Sequence, residues 1–294
     1  MAKVTGANGS TVNLTANIIL MDLDVGVWGA RKALTPQDLG KDPDDIPEEF
    51  YLGHKALIPR AALKPARTFE GRGRAILEKC GYVFPIGQTR AIPVGVIEEV
   101  EVELAKVRAD FEEWLDEEFL PKYQTYLDAY VAKFGEENRR LFPTRDAVRS
   151  KFTFDWVCVT ISVPKGNDDN ALKVRKRIES WVDQVAEEYQ TAAAQVFEVV
   201  AERLERGGPI SDRTFDRMKK AVNRLRSINF LDFEQVESAL KDAQKLLETY
   251  TADGIKTDVD AKAAMQKALG KIVTEIKDAS LEEVTTAYKR KLRI

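Results

Sequence analysis

The chain has 294 residues, of which 44% are hydrophobic and 32% charged, a composition typical of a folded, charge-rich and mainly helical protein. Its 45 basic and 48 acidic residues give a formal net charge of −3, which argues against general coating of nucleic acid through a basic excess. No signal peptide or membrane-length apolar run is evident, and two cysteines give no disulfide framework, so we expect a soluble cytoplasmic protein.

The N-terminal part predicts short strands and helices. Residues 1–11 are small and polar and predict a loose terminus, whereas 12–24 predict a strand with an apolar centre. The segment 34–39 predicts a short helix, because Thr35 and Asp38 have the spacing of a capping box. The elements predicted after it are a loop marked by Pro43 and Pro47, a helix at 64–81, and a hairpin or irregular crossing at 81–93.

A long helix is predicted after Pro93, because apolar residues recur at spacings of three and four, as in the seam of a coiled coil. The residues of this seam are Ile97, Val100, Leu104, Val107, Phe111 and Trp114. The register then skips and continues through Leu115, Phe119, Tyr123, Leu127 or Tyr126, Tyr130 and Phe134. Because Pro121 lies near this skip, we expect a kink or a break there.

A second long helix is predicted from 169 to 206, which at 1.5 Å per residue would be about 55 Å long. Gly207, Gly208 and Pro209 would end it. Between the two long helices, 151–164 is the clearest strand in the sequence, and we expect it to pair with 12–24. The apolar face predicted for the second helix consists of Val174, Ile178, Trp181, Val185, Tyr189, Ala192, Val196 and Val199, continuing to Arg203.

The C-terminal part predicts further helices, at 211–228, 234–250, 258–278 and 281–291. Capping boxes are predicted at the last two of them, from Thr257 to Asp260 and from Ser280 to Glu283. The predicted fold is mainly α, with a long antiparallel, coiled-coil-like helical hairpin, a small antiparallel β-sheet and a C-terminal helical bundle. The predicted domains are a mixed α/β base, a long helical arm and a C-terminal helical region, at 1–92 with 141–165, 93–140 with 168–207, and 209–294.

The N-terminal third resembles an uncharacterised family of phage, prophage and plasmid proteins, domain-of-unknown-function family 3150. The segments that carry the resemblance are "LDVGVWGARKAL", "TPQDL", "LGHKALIPRAAL", "FEGRGRAILEKCGYVF" and "AIP", followed by the start of the long acidic helix. The resemblance covers about residues 14–135. Members are often encoded beside MoxR-type AAA+ ATPases and von Willebrand A-type proteins, so it implies an accessory or adaptor role in a bacterial host, with no catalytic residue to transfer.

Asp22 and Asp24 raise the alternative of a metal-dependent enzyme, since a hydrophobic strand followed by Asp-x-Asp can hold Mg²⁺ or Mn²⁺. In a continuing strand, however, both carboxylates alternate with Leu23, face one side and are simply solvated. No glycine-rich nucleotide loop or second acidic cluster accompanies the pair. We therefore predict no metal site, no cofactor and no catalytic residue.

The other residues with catalytic potential are interpreted in the same way. His54 is the only histidine, which excludes paired-histidine zinc motifs, and it is interpreted as an ordinary polar residue of a turn. Cys80 and Cys158 are too far apart for a C-x-x-C element and are interpreted as core residues. The glycines of "GVWGARK" and "EGRGRA" do not match a phosphate-binding loop.

Charge is segregated along two of the predicted helices. From Glu98 to Glu118 there are ten acidic residues against two basic ones, and from Arg213 to Arg226 there are six basic residues against one acidic residue. At 100° per residue, the cations of the second segment form a stripe opposite an apolar face. The candidate interaction residues are Arg213, Arg217, Lys220 and Arg224 in this stripe, and Glu112, Glu113, Asp116 and Glu117 in the acidic helix.

These faces are either ordinary solvated helix surface or docking surfaces. As docking surfaces, the basic stripe would meet an acidic helix of the same or another copy, an acidic partner protein, or a nucleic-acid backbone. The leading hypothesis is a non-enzymatic adaptor protein of a mobile element that docks or self-assembles through its long helices, with an AAA+ ATPase and a von Willebrand A-type protein as partners. The alternative is a nucleic-acid-binding accessory or anti-defence factor that uses the stripe and "KVRKR" at 173–177.

Overall fold

The computed structural model describes residues 17–42, 44, 46–47, 50–160, 169–208 and 210–292. These residues form mainly α-helices together with small antiparallel sheets, which confirms the predicted fold class. The predictions for residues 1–11, for the first part of the strand at 12–24, for Pro43, for 161–164 and for Pro209 lie outside the described residues.

The chain divides into two compact units. The first unit comprises Met1–Met21, Leu77–Glu99 and Cys158–Ile294, and the second comprises Asp22–Ile76 and Val100–Val157. This division differs from the predicted base, arm and C-terminal region, because the two long helical segments pack on different neighbours: the second packs on the C-terminal helices.

Strand β1 (Ile18–Gly26) has strands on both of its sides. In the first unit, it pairs antiparallel with β5 (Arg90–Pro93), which in turn pairs with β4 (Tyr82–Val83), so the hairpin predicted at 81–93 is confirmed. In the second unit, it neighbours β6 (Thr153–Val159), the predicted partner strand. A separate ribbon joins β2 and β3, at Arg31–Ala33 and His54–Ala56.

The second unit contains the acidic helix and its surroundings. Helix α1 (Lys64–Cys80) belongs to this unit up to Ile76. Helix α2 (Ile97–Glu113) continues through a π-helical segment (Trp114–Phe119) into α3 (Leu120–Phe134). Short helical turns of this unit lie at Pro36–Leu39, Arg60–Leu63, Glu136–Leu141 and α4 (Arg145–Arg149), and a further turn, Val94–Val96, precedes α2 in the first unit. The predicted capping box of Thr35 and Asp38 is present.

The seam predicted for α2 and α3 is buried inside the chain from Val100 to Tyr130, whereas Ile97 is half-buried and Phe134 is exposed, so the prediction is wrong for the last residue of the seam. Its aromatic residues form a cluster in which the Phe111 ring lies 6.0 Å from Trp114 and 5.8 Å from Phe154. Where a kink or a break was predicted, the helix instead continues through the π-helical segment, in which the Leu120 amide donates to the Leu115 carbonyl one residue further back than in an α-helix. The extra residue accounts for the register skip, and Pro121 lies directly after the π-helical segment, at the start of α3.

The first unit is built around α5 (Asp169–Glu205), on which the C-terminal helices pack. These are α6 (Asp212–Ser227), α7 (Glu234–Thr249), the short α8 (Ala252–Thr257), α9 (Val259–Lys277) and α10 (Leu281–Leu292). Helix α5 ends in a Schellman motif, because the Gly208 amide donates to the Arg203 carbonyl and the Gly207 amide to the Leu204 carbonyl. Gly207 has the left-handed φ of +74° that this motif requires.

The buried face of α5 departs from the prediction at its start, where Val174 is exposed, and again in its second half. Ala192 and Val199 are exposed, and the core residues there are Ala193, Phe197 and Val200. A pattern of spacings three and four repeats every 3.5 residues, whereas the helix has 3.6 residues per turn, so the predicted stripe drifts by about 20° per heptad. From Ile178 to Leu204 the helix is therefore part of the core of its own unit.

Of the two predicted C-terminal capping boxes, the one from Thr257 to Asp260 is wrong and the one from Ser280 to Glu283 is half formed. Asp258 caps α9 instead of Thr257, because Thr257 is the last residue of α8, which the sequence analysis missed. At α10, the Ser280 hydroxyl accepts from the Glu283 amide, but the reciprocal acceptor for the Ser280 amide is Gln235 Oε1 at 2.7 Å. Gln235 Nε2 also donates to Glu283, so a side chain of α7 completes the cap.

Candidate functional site

Helix α6 forms the basic candidate surface. It begins at Ser211, whose hydroxyl accepts from the Thr214 amide at 3.3 Å. Its apolar residues are buried in the core of the first unit, as the periodicity predicts. These residues are Phe215, Met218, Val222 and Leu225. Because these apolar residues pack into the core, the opposite side of α6 faces the solvent.

The predicted cationic stripe has two distinct parts. Arg213, Arg217 and Lys220 are exposed and form no hydrogen bond or ion pair with any other residue that the structure describes. Arg224 is half-buried and its Nε atom has no acceptor within the described part of the chain. Burial raises the pKa of the Tyr82 hydroxyl, and the positive charge of Arg224 offsets part of this rise. We define the basic face as Arg213, Arg217 and Lys220.

The C-terminal end of α6 is fixed by two buried tyrosines. Tyr189 Oη donates to the Leu225 carbonyl at 3.1 Å, and Tyr82 Oη donates to the Ile228 carbonyl at 3.2 Å. Burial raises the pKa of both hydroxyls, so both remain neutral donors to the carbonyls at this helix end. These bonds orient the helix, and with it the basic face.

The acidic candidate residues lie in the second unit, at the junction of α2 and the π-helical segment. Glu112, Glu113, Asp116 and Glu117 are exposed, while the neighbouring Trp114 and Leu115 are buried. These four carboxylates lie together because the buried residues hold the other side of the helix against the aromatic cluster. We define the acidic face as Glu112, Glu113, Asp116 and Glu117.

One member of the acidic face is already paired. Arg149 Nε lies 2.9 Å from Asp116 Oδ1, and another guanidinium nitrogen of Arg149 lies 2.7 Å from Asp116 Oδ2. This two-point contact holds the pKa of Asp116 below its usual range, and the charge of Glu112 also acts on Arg149. Glu113 and Glu117 have no hydrogen bond or ion pair to the other described residues. Arg149 is 33 residues from Asp116, so no spacing rule could have predicted this pair.

A second basic segment lies at the start of α5. Lys173, Lys176 and Arg177 are exposed, and the first core residue of this helix is Ile178. Here, too, the charged residues are presented by a helix whose continuation is buried.

The residues considered for chemistry are not brought together. Asp22 and Asp24 are exposed on either side of the buried Leu23, as expected for a solvated strand face. Within the described residues no three side chains of metal-ligating type form a cluster. His54 is exposed in β3, and its Nδ1 lies 2.9 Å from the Tyr51 hydroxyl.

The two cysteines differ in their surroundings. Cys80 is buried, as predicted, but Cys158 is exposed, so its assignment to the core is wrong. From Val157 to Thr160 the side chains of both alternating sets are exposed, so strand alternation does not place Cys158 on a covered face. Among the described helices, none combines the length and the apolarity needed to span a bilayer.

Comparison with known proteins gives a family but no annotated relative. No curated protein and no solved structure matches this chain. The family model described as "Protein of unknown function (DUF3150)" matches residues 15–287 and so extends through the C-terminal half, where the sequence motifs alone showed no resemblance. The chain therefore belongs to the DUF3150 family.

Proposed function

We propose that this protein is a non-enzymatic adaptor of a phage or another mobile genetic element, acting in the cytoplasm of a bacterial host. It docks an acidic protein partner through the basic face of α6. Following the resemblance, the expected partners are a MoxR-type AAA+ ATPase and a von Willebrand A-type protein. The observation that carries the proposal is a row of exposed cations, Arg213, Arg217 and Lys220, that lack partners among the described residues.

The surroundings of the row favour recognition over a purely solvated role. Across the described chain, many exposed cations lie beside an acid, as Arg149 does beside Asp116 and Lys271 beside Glu275. The three cations of the basic face form no ion pair with a described residue, although exposed Asp216 lies next to them on α6, and the helix is anchored by its apolar side and by two tyrosine hydroxyls. Charges on a rigid element lose little conformational freedom on binding, and complementary charges accelerate encounter with an acidic surface.

The apolar seam of α2 and α3 is unsuited to docking a partner. Val100, Leu104, Val107 and Phe111 are buried in their own unit, so a coiled coil with a partner through these residues would require that unit to open. Docking through the charged outer faces needs no such opening.

Charge reversal of the basic face tests the proposal. The variant R213E/R217E/K220E changes only exposed side chains, so we expect it to fold normally while its association with the AAA+ and von Willebrand A-type proteins encoded beside its gene weakens at least about tenfold. Binding is measured by co-elution and by titration calorimetry with the purified partners.

A matched control separates this local effect from a change in net charge. The variant K245E/K267E/K271E makes the same change in net charge on α7 and α9 of the same unit. We expect it to bind like the wild type. Equal loss of binding in both variants, or no binding by the wild type, would contradict the proposal.

Binding of a nucleic-acid backbone is the second candidate function. Its support is that the exposed cations Lys173, Lys176 and Arg177 add to the basic face of α6. Affinity for duplex DNA or RNA should then fall steeply with salt and should be lost in R213E/R217E/K220E. If the wild type binds neither nucleic acid at low salt, this candidate is rejected.

A further inference from the structure

The two charged faces described above have opposite signs and comparable sizes. Lys220 lies seven residues after Arg213, about 10 Å along the helix, and Glu117 lies five residues after Glu112, about 8 Å at the α-helical rise. The basic face carries three positive charges. The acidic face carries four negative charges, one of which is neutralised by Arg149.

Both faces are exposed and supported from behind. Phe215 and Met218 anchor the α6 helix in one core, and Trp114 and Leu115 anchor the acidic segment in another. Neither face has to rearrange its backbone to meet a partner, so each presents its charges in a fixed pattern.

We infer that the basic face of one copy of this chain binds the acidic face of a second copy. The inference rests on the proposed function, because both take the basic face as a docking surface. It adds a second copy of this chain as a binding partner of that face. A formal net charge of −3 on 294 residues leaves little overall repulsion between copies, so the local complementarity of the two faces decides the contact.

The contact joins a different surface on each copy, so a single contact between two copies leaves one basic and one acidic face free. If these two faces meet each other they close a symmetric dimer, and if they bind further copies the assembly grows into a ring or an open chain. Exposed ion pairs are individually weak and are screened by salt. The assembly is thus concentration-dependent and dissociates as the ionic strength rises.

Two neutralising variants of the full chain test this inference. R213Q/R217Q/K220Q removes the basic face and leaves the acidic one, whereas E112Q/E113Q/E117Q removes the acidic face and leaves the basic one; Asp116 is kept because it pairs with Arg149. The mass of each protein is measured by light scattering during size exclusion at low salt, with circular dichroism to check folding.

The wild type is expected to exceed the monomer mass at low salt and to return to it at high salt, and each variant alone is expected to stay monomeric. An equimolar mixture of the two variants retains one intact interface and should form a heterodimer that grows no further. A wild type that is monomeric at low salt and high concentration overturns the inference. So does a variant that still assembles alone, or a mixture that forms no heterodimer.

Failure of this inference is distinguishable from failure of the proposed function. E112Q/E113Q/E117Q keeps the basic face, so it should bind the acidic partner proteins as the wild type does while losing self-association. A monomeric wild type that captures those partners retains the proposed function and rejects the self-association.

Discussion

Asp38 is the residue that organises the short helical turn after β2. Its Oδ2 accepts from the Thr35 amide at 2.8 Å, and its Oδ1 lies 2.5 Å from Lys55 Nζ. Lys55 lies in β3, so one carboxylate caps the turn and ties it to the β2–β3 ribbon. The hydrogen bond from Lys55, followed by the one from the Thr35 amide, holds the pKa of Asp38 below its usual range.

Replacement of Asp38 by Ala should lower the free energy of unfolding by about 1 kcal/mol at neutral pH, because it removes one side of the capping box and a surface ion pair. The measurement is urea denaturation followed by circular dichroism. The wild type must be compared with the variant over a range of pH.

The pH dependence has a defined sign. A carboxyl whose pKa is lowered by folding stabilises the protein above its unfolded pKa, about 3.9, and loses this contribution as the pH falls through the folded value. The difference between wild type and Asp38→Ala should therefore be constant from pH 7 to about pH 5 and shrink below about pH 4. A difference that grows on acidification would contradict the assigned role.

At the scale of elements, the two glycines of α1 have different surroundings. A Cβ added at Gly73 would lie 2.8 Å from Leu23 Cδ2 and 2.8 Å from Phe154 Cζ, whereas a Cβ at Gly71 would meet nothing within 4 Å. Gly73 is thus the point where α1 closely approaches side chains of β1 and β6 in the second unit.

Alanine at these two positions should have opposite effects. Gly71→Ala should raise the free energy of unfolding by about 0.5–1 kcal/mol, because alanine loses less backbone entropy than glycine in a helix. Gly73→Ala should lower it by about 1–3 kcal/mol, because the added methyl overpacks two buried side chains. The unfolding free energies of both variants are measured by chemical denaturation. Equal changes in the two would show that the helix at Gly73 has room for a methyl group.

Local patterns predicted most elements, and contacts between distant segments account for part of the errors. Thr35 and Asp38 are three residues apart, so their capping box was readable from the sequence. The cap at Ser280 was only half readable, since Gln235, 45 residues away, supplies the acceptor for its amide. The apolar spacing of α2 and α3 even revealed the extra residue of the π-helical segment, through the skip between Trp114 and Leu115.

The candidate surfaces, too, were predictable from local sequence patterns, but only in part. One helical periodicity places Arg213, Arg217 and Lys220 opposite the buried residues of α6. It could not show that Arg224 is half-buried or that Arg149 neutralises Asp116, because both depend on the packing of segments distant in the chain. Periodicity gives the side of a helix, and tertiary packing then decides which charges on that side remain unpaired.

At the scale of the whole molecule, the burial of α5 gives the chain a different organisation from the predicted one. Spacings of three and four suggested an arm, but Phe197, Val200 and Leu204 are buried residues of the core shared with the C-terminal helices. A helix about 55 Å long can be an internal element when other helices cover it along its length. Helix α10 is one of these covering elements.

Removal of residues 281–294 tests whether α10 closes the first unit over α5. Val284 and Thr285 are buried, and Lys289 Nζ lies 2.5 Å from the Asp183 carboxylate of α5. Since each fully buried apolar side chain contributes roughly 1.5–3 kcal/mol, and α5 loses its own covered surface as well, we expect the truncation to lower the unfolding free energy by several kcal/mol. Hydrogen exchange should accelerate at the α5 amides around Asp183.

Lys289→Ala is the control, because a partly exposed ion pair is worth at most about 1 kcal/mol. A truncated chain with the wild-type melting temperature would show that the core of this unit is complete without α10, and that α5 is covered by its other neighbours alone.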